Sequence, residues 1–442
     1  MATLDHRFSR LAALRPARPP AVRSTTLREP CEEDTMARLL GAGVSTNRFG
    51  EHLAVRNWFS TPEFVAPHST CLQLLCRQRD EVVSRRARAA LENPEKWLFL
   101  DTETTGLAGG TGTYAFLIGL AWWDAGGLQV EQLFMRDFAE EHSVLCQLAT
   151  RLAERPVLVT FNGKTFDWPL LENRFRMTRS IAVPSLAAHL DLLHPARALW
   201  KFRLGTVRMT DLEREVLNPA QRGWHRQGDV SSKFIPQFYF DYLRGGPPEP
   251  LLGVARHNQM DLRGLAALFG KINALLAEEA NPDEEIHGLD LFGLSKFLHR
   301  RGDKGRAQVA CAQAVDLGLP VEFRSRAQYD LALMAKRKGE HQRAAEIWHE
   351  ILAYSGDAIH ACEQLAIHYE LRVKNYERAL EFAHRARRLL HTQASRANFF
   401  AQRGIARRED LSLKRIKRLE GRLSKRTGKL LSLGETGATG TV

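Results

Sequence analysis

The strongest constraint on the fold is a set of short apolar runs that end on a carboxylate or a turn. Trp97-Leu98-Phe99-Leu100 leads directly into Asp101-Thr102-Glu103-Thr104-Thr105-Gly106, and Val157-Leu158-Val159-Thr160-Phe161 leads into Asn162-Gly163-Lys164-Thr165-Phe166-Asp167. Runs this short, rich in aromatic and β-branched residues, fit buried strands better than helices. Residues 113–123 form a longer run entered through the glycines at 109, 110 and 112, and residues 128–134 alternate apolar with polar. Helical spacing follows at 144–152, 170–175, 212–216, 234–243 and 251–276, with a short strand at 190–193. Strands joined first by turns and then by helices predict an α/β domain, a mixed sheet flanked by helices, over residues 95–280.

Beyond residue 288 the strand signal ends. Leu294, Leu331 and Leu365 begin helix-like segments, each followed by a turn and an Arg-Ala step at Arg306-Ala307, Arg343-Ala344 and Arg378-Ala379. Ala310, Ile347 and Phe382 recur three residues later. A repeat of about 35 residues with this pattern resembles tetratricopeptide repeats, in which each hairpin buries its apolar face against the next. Residues 288–402 are therefore expected to form an all-α, tetratricopeptide-like helical repeat domain, with an unrelated helical bundle as the alternative. Residues 1–36 read as a basic disordered tail, because prolines 16, 19 and 20 interrupt any amphipathic helix. Residues 37–94 read as a small hairpin around Arg48-Phe49-Gly50 and a connecting helix within 73–91. Residues 403–442 read as a basic tail that begins as a helix.

Composition removes several function classes. With 44% hydrophobic and 26% charged residues over 442 positions, the chain can bury a core and is not disordered throughout. No run approaches the roughly 20 apolar residues that a membrane-spanning helix needs. Six cysteines at spacings that match no zinc or redox motif read as reduced thiols of a cytoplasmic protein. The formal charge of +12 favours a polyanionic partner.

Alternation along a strand points Asp101 and Glu103 to the same side. Two carboxylates in one small volume repel unless a cation neutralises them or one keeps a proton. Oxygen ligands with no neighbouring cysteine favour Mg²⁺ or Mn²⁺ over zinc. Asp167 opens the helix after an Asn-Gly turn, within reach of a cation in the same cleft. His257 and Asp261, four residues apart, share one helical face. Taken singly, each has an ordinary reading as a helix start, a turn or a solvated charge. Their order in one chain argues for a site.

That order, Asp-x-Glu, then Asn-x-x-x-x-Asp, then a proton acceptor shortly before a last Asp, resembles the DEDD exonucleases of the ribonuclease-H-like superfamily. Within it the chain is similar to the bacterial YprB-type ribonuclease-H-like domain. The likeness spans residues 97–276 and includes His189-Leu190-Asp191-Leu192-Leu193, Trp200 followed by Leu204, Leu212-Glu213, and His257-Asn258 before Asp261. It implies that Asp101, Glu103, Asp167 and Asp261 ligate two Mg²⁺ or Mn²⁺ ions and that His257 takes a proton from the attacking water. One departure stands out. The superfamily shows Tyr with three residues before the last Asp, or His with four, whereas this chain has His with three, one helical step away.

Thr104, Gly106, Leu107, Asn162 and Lys164 are candidate substrate contacts, and Asp191 and Glu213 candidates for sheet-end or supporting roles. The implied function is a metal-dependent 3′–5′ exonuclease acting on single-stranded DNA or RNA or on a 3′ end; endonucleolytic cutting shares the same metal chemistry. The alternative is a catalytically weak or inactive adaptor that grips nucleic acid and binds a protein partner through its helical repeats.

Overall fold

The computed structural model describes residues 34–76, 85–106, 112–218, 224, 226, 228–277, 286–355, 358–395 and 399–435. The basic arm expected at the N-terminus lies mostly outside these residues; Asp34 caps a short helix, Thr35–Leu40, that starts within it. Among the described residues, seven strands form one sheet: β1 (Gly43–Asn47), β2 (Gly50–Phe59), β3 (Trp97–Thr104), β4 (Ala115–Asp124), β5 (Gly127–Phe134), β6 (Val157–Thr160) and β7 (Ala188–Asp191). Their spatial order is β1-β2-β5-β4-β3-β6-β7, antiparallel from β1 to β3 and parallel from β3 through β6 to β7. The sheet is mixed, as the run pattern predicts.

One expectation needs adjusting. The hairpin of residues 43–59 is not a separate small unit, because β2 pairs with β5 from Leu53 opposite Phe134 to Phe59 opposite Leu128 and extends the main sheet. Of the helix expected within 73–91, the described residues hold Ser69–Cys76 and Arg85–Leu91 as helix, and residues 77–84 lie outside the described set.

Alternation sorts β3 between two cores. Trp97 and Phe99 pack with one cluster, Leu98 and Leu100 with the other, as the period of two requires. The helix Glu249–Ala277 contributes to both, Leu251 and Val254 to one and Leu262 through Leu276 to the other. The stretch between, which carries His257 and Asp261, therefore lies where the two cores meet.

That boundary is also where the parallel strands end. β6 pairs with β3 only along Trp97–Phe99, so Asp101 through Thr104 run on against β4 alone. Beyond Thr160 the chain turns through Asn162, at a φ of 69°, into the helix Asp167–Thr178. A crevice at the carboxyl ends of parallel strands, where neighbouring connections diverge, is the usual ligand position in an α/β sheet.

The C-terminal half is helical. The hairpins Gly288–Arg301 with Lys304–Asp316, Val321–Lys338 with His341–Tyr354, and Ile359–His368 with Tyr376–Ala394 pack each on the next, and Phe399–Glu435 closes the stack. The repeated positions are the buried ones: Ala307, Ala344 and Ala379 are wholly inaccessible, and Ala310, Ile347 and Phe382 nearly so. This domain docks on the helix Leu193–Leu204, where Asp290 accepts a 2.8 Å hydrogen bond from Arg203 Nε and the Phe202 and Phe292 rings lie 5.1 Å apart. Gly293 permits the approach, since a Cβ there would lie 2.2 Å from the carbonyl oxygen of Leu199. Backbone cannot yield as a side-chain tip does. Gly293→Ala is expected to cost about 1–3 kcal/mol, read as a lower thermal midpoint, and an unchanged midpoint would mean that the docking is loose. Among the described residues, no helix is long and apolar enough to cross a membrane.

Candidate functional site

The residues expected to act together come from three elements. Asp101 and Glu103 stand on β3, which continues through both because β4 pairs with it there, Gly119 opposite Asp101 and Leu117 opposite Glu103. Asn258 Nδ2 donates to Asp101 Oδ2 at 2.8 Å, while Asn258 Oδ1 accepts from Gln132 Nε2 at 2.8 Å. Asn258 is fully buried and reaches Asp101 across Gly119, where a Cβ would lie 2.1 Å from its Oδ1. Asp167, first residue of its helix, accepts from Thr102 Oγ1 at 2.5 Å, which ties the helix start to β3. The turn before it is fixed by Asp191, whose carboxylate accepts from the backbone N–H of Asn162 (2.8 Å), Lys164 (3.1 Å) and Leu193 (3.0 Å). Asp191 thus holds the end of the sheet, as expected of a sheet-end residue.

His257 and Asp261 meet Glu103 from the long helix. One ligand atom from each of these three lies within 4.8 Å of the others. His257 Nε2 is 3.4 Å from Asp261 Oδ2, and Nδ1 is 2.8 Å from Asp229 Oδ1. Burial, then the charges of Asp261, Glu103 and Asp167, hold the Asp101 carboxyl well above the usual range. Glu103 is raised in the same way, by burial and then by Asp261, Asp167 and Asp229. Burial also raises Asp167, in spite of the Thr102 hydrogen bond. Each acid is therefore costly to ionise beside the others. A divalent cation would remove that cost, and a donor set of carboxylate oxygens and one imidazole, without cysteine, fits a hard ion.

Several participants carried no signal in the sequence. Arg226 pairs with Glu213, Asp229 and Asp261 and lies 3.3 Å from His257 Nδ1, yet it sits in a polar stretch without periodicity. Asp229 and Ser232 Oγ, 3.4 Å from His257 Nε2, come from the same region. Gly119 did carry one: a lone glycine inside an apolar strand marks a close approach. Of the candidate substrate contacts, Thr104 Oγ1 donates to the Gly106 carbonyl at 2.9 Å, and Asn162 shapes the turn. Lys164 is exposed, and its charge joins burial in pushing His189 down to about 4. Leu107, like glycines 109 and 110, lies outside the described residues.

Comparison with known proteins agrees with the fold. A family model described as RNase_H superfamily matches residues 98–273. Over 295 residues the chain is 28% identical to the uncharacterized protein YprB of Bacillus subtilis (strain 168), covering 66% of this chain and 69% of that one. The crevice at the carboxyl ends of β3 and β6 lies within residues 98–273, the stretch that matches the RNase_H superfamily model, ahead of a helical domain.

Proposed function

We propose that the chain is a divalent-metal-dependent 3′–5′ exonuclease that hydrolyses phosphodiester bonds of single-stranded DNA or RNA. The observation that carries this reading is the convergence of Glu103, His257 and Asp261 within 4.8 Å, beside two further raised carboxylates. Asp101, Glu103, Asp167 and Asp261 would hold two Mg²⁺ or Mn²⁺ ions, which supply an activated water and stabilise the leaving oxygen. His257 Nε2 would accept the water proton. Its place 3.4 Å from Asp261 Oδ2 supports that role despite the unusual spacing, because the ring still turns into the carboxylate cluster. Thr104, Gly106, Leu107, Asn162 and Lys164 remain the candidate contacts to the strand, and the excess of basic residues would add salt-sensitive affinity.

The adaptor reading keeps one observation in its favour. Arg226 already neutralises Asp261, so that carboxylate has a counter-charge without any metal. The deciding experiment offers matched 3′-exposed DNA and RNA oligonucleotides, labelled at the 5′ end, with Mg²⁺, Mn²⁺ or EDTA. A ladder shortening from the 3′ end with mononucleotide release is expected with metal and not with EDTA. Strand binding without cleavage under either ion would support the adaptor instead, and internal cuts would show an endonuclease.

A further inference from the structure

Behind the carboxylates lies a second set of charges that the nuclease reading does not use. Glu213 is 2% exposed and grips Arg226 at both ends, Oε2 accepting from Nε at 2.5 Å and Oε1 from Nη2 at 2.9 Å. It has room because Gly264, three residues past Asp261 on the long helix, carries no Cβ; one there would lie 2.4 Å from Glu213 Oε1. From this anchor the guanidinium extends two arms. Nη2 pairs with Asp261 Oδ1, and Nη1 pairs with Asp229 Oδ2 at 2.9 Å. Asp229 in turn brings both carboxylate oxygens to His257 Nδ1, at 2.8 and 2.9 Å.

We propose that Asp229, held by Arg226 and through it by the buried Glu213, is the positioning residue that fixes His257 with Nδ1 protonated and Nε2 unprotonated toward Asp261 and Glu103. A carboxylate at 2.8 Å can only accept, so the ring nitrogen facing it must donate, whereas Nε2 lies 3.4 Å from Asp261 Oδ2, beyond ordinary hydrogen-bond distance. The guanidinium N–H at 3.3 Å competes for the same nitrogen, but it is more distant and is already satisfied by Asp229. A neutral imidazole protonated at Nδ1 leaves the Nε2 lone pair free, and a carboxylate behind a histidine commonly sets that choice. Arg226 binds Asp229 and Asp261 at once, so ring orientation and the position of the last carboxylate are set together. The catalytic consequence rests on the nuclease reading; the tautomer does not.

The two are therefore measured separately. Long-range ¹H–¹⁵N correlation on full-length, ¹⁵N-histidine-labelled protein in EDTA, with His257→Gln used for assignment, should show the Nδ1–H tautomer of His257 dominant. Asp229→Ala should lose that dominance. Asp229→Asn, of equal size, should weaken it, since one of the two oxygens facing Nδ1 becomes an NH2 donor, and it guards against a folding defect. In cleavage assays both variants should lower kcat on the order of 10–100-fold, with KM for the oligonucleotide and the Mn²⁺ dissociation constant nearly unchanged. Arg226→Ala should disturb the tautomer and weaken Mn²⁺ binding together. A dominant Nε2–H form in the wild-type protein, or an unchanged tautomer in both Asp229 variants, would overturn the proposal. The expected tautomers in a protein that cleaves nothing would defeat the nuclease reading and leave the positioning intact.

Discussion

Asp101→Asn is expected to lose metal-dependent cleavage by about 10³-fold while making the metal-free protein more stable than wild type. The first effect follows from the stabilisation a metal gives developing charge, several kcal/mol, with each 1.36 kcal/mol worth tenfold in rate. The second follows from the direction of the Asp101 shift. Burial and the neighbouring Asp261, Glu103 and Asp167 raise its folded pKa above the unfolded value. At pH below the unfolded pKa the carboxyl is protonated in both states and contributes nothing. As pH rises from the ordinary carboxylate range toward the raised pKa, the folded state holds the proton that the unfolded chain has released, and stability falls. An amide carries no charge to repel and can still accept from Asn258. The gain in thermal midpoint for the variant in EDTA should thus be near zero at and below the ordinary carboxylate range and grow as pH rises above it. Mn²⁺ should raise the wild-type midpoint and barely move that of the variant. A variant less stable than wild type across the whole range would show that the carboxylates do not repel one another as their positions require.

What could be read from the sequence was what local periodicity encodes. Asp101 and Glu103 fall on one side because a strand repeats every two residues, and His257 and Asp261 on one side because a helix repeats every 3.6. The buried alanines at 307, 344 and 379 were visible for the same reason, as a small residue recurring at a fixed place in successive hairpins. The apolar run itself stops at Leu100, before the carboxylates. The strand runs on to Thr104 because β4, more than ten residues later, supplies hydrogen bonds that nothing local announces. The pairing of β2 with β5 is hidden in the same way, joining Leu53 to Phe134. Arg226 and Asp229 were invisible for a different reason: they lie in a stretch without period, and only the folded chain reveals that one guanidinium serves three carboxylates.

Gly119→Ala is expected to be among the most destabilising single-methyl changes available to this chain. The new Cβ would lie 2.1 Å from Asn258 Oδ1 and 2.7 Å from its Cγ, well inside any real contact. Asn258 has nowhere to retreat. Its Oδ1 holds Gln132, its Nδ2 holds Asp101, and its helix is fixed on either side by Val254 and Leu262, both fully buried. Overpacking costs about 1–3 kcal/mol, and a buried polar group left without a partner about 1–3 kcal/mol more, so a loss of about 2–6 kcal/mol follows. Combining it with Asn258→Ala separates packing from chemistry. The shortened side chain leaves room for the methyl group, so the double variant should be more stable than Gly119→Ala alone, with a coupling energy of about 1–3 kcal/mol in denaturant unfolding. Cleavage should stay low in the double variant, because Asp101 has lost the amide that holds its carboxylate. Strictly additive penalties would mean that Gly119 and Asn258 do not touch, and restored cleavage would mean that Asp101 finds its place without help.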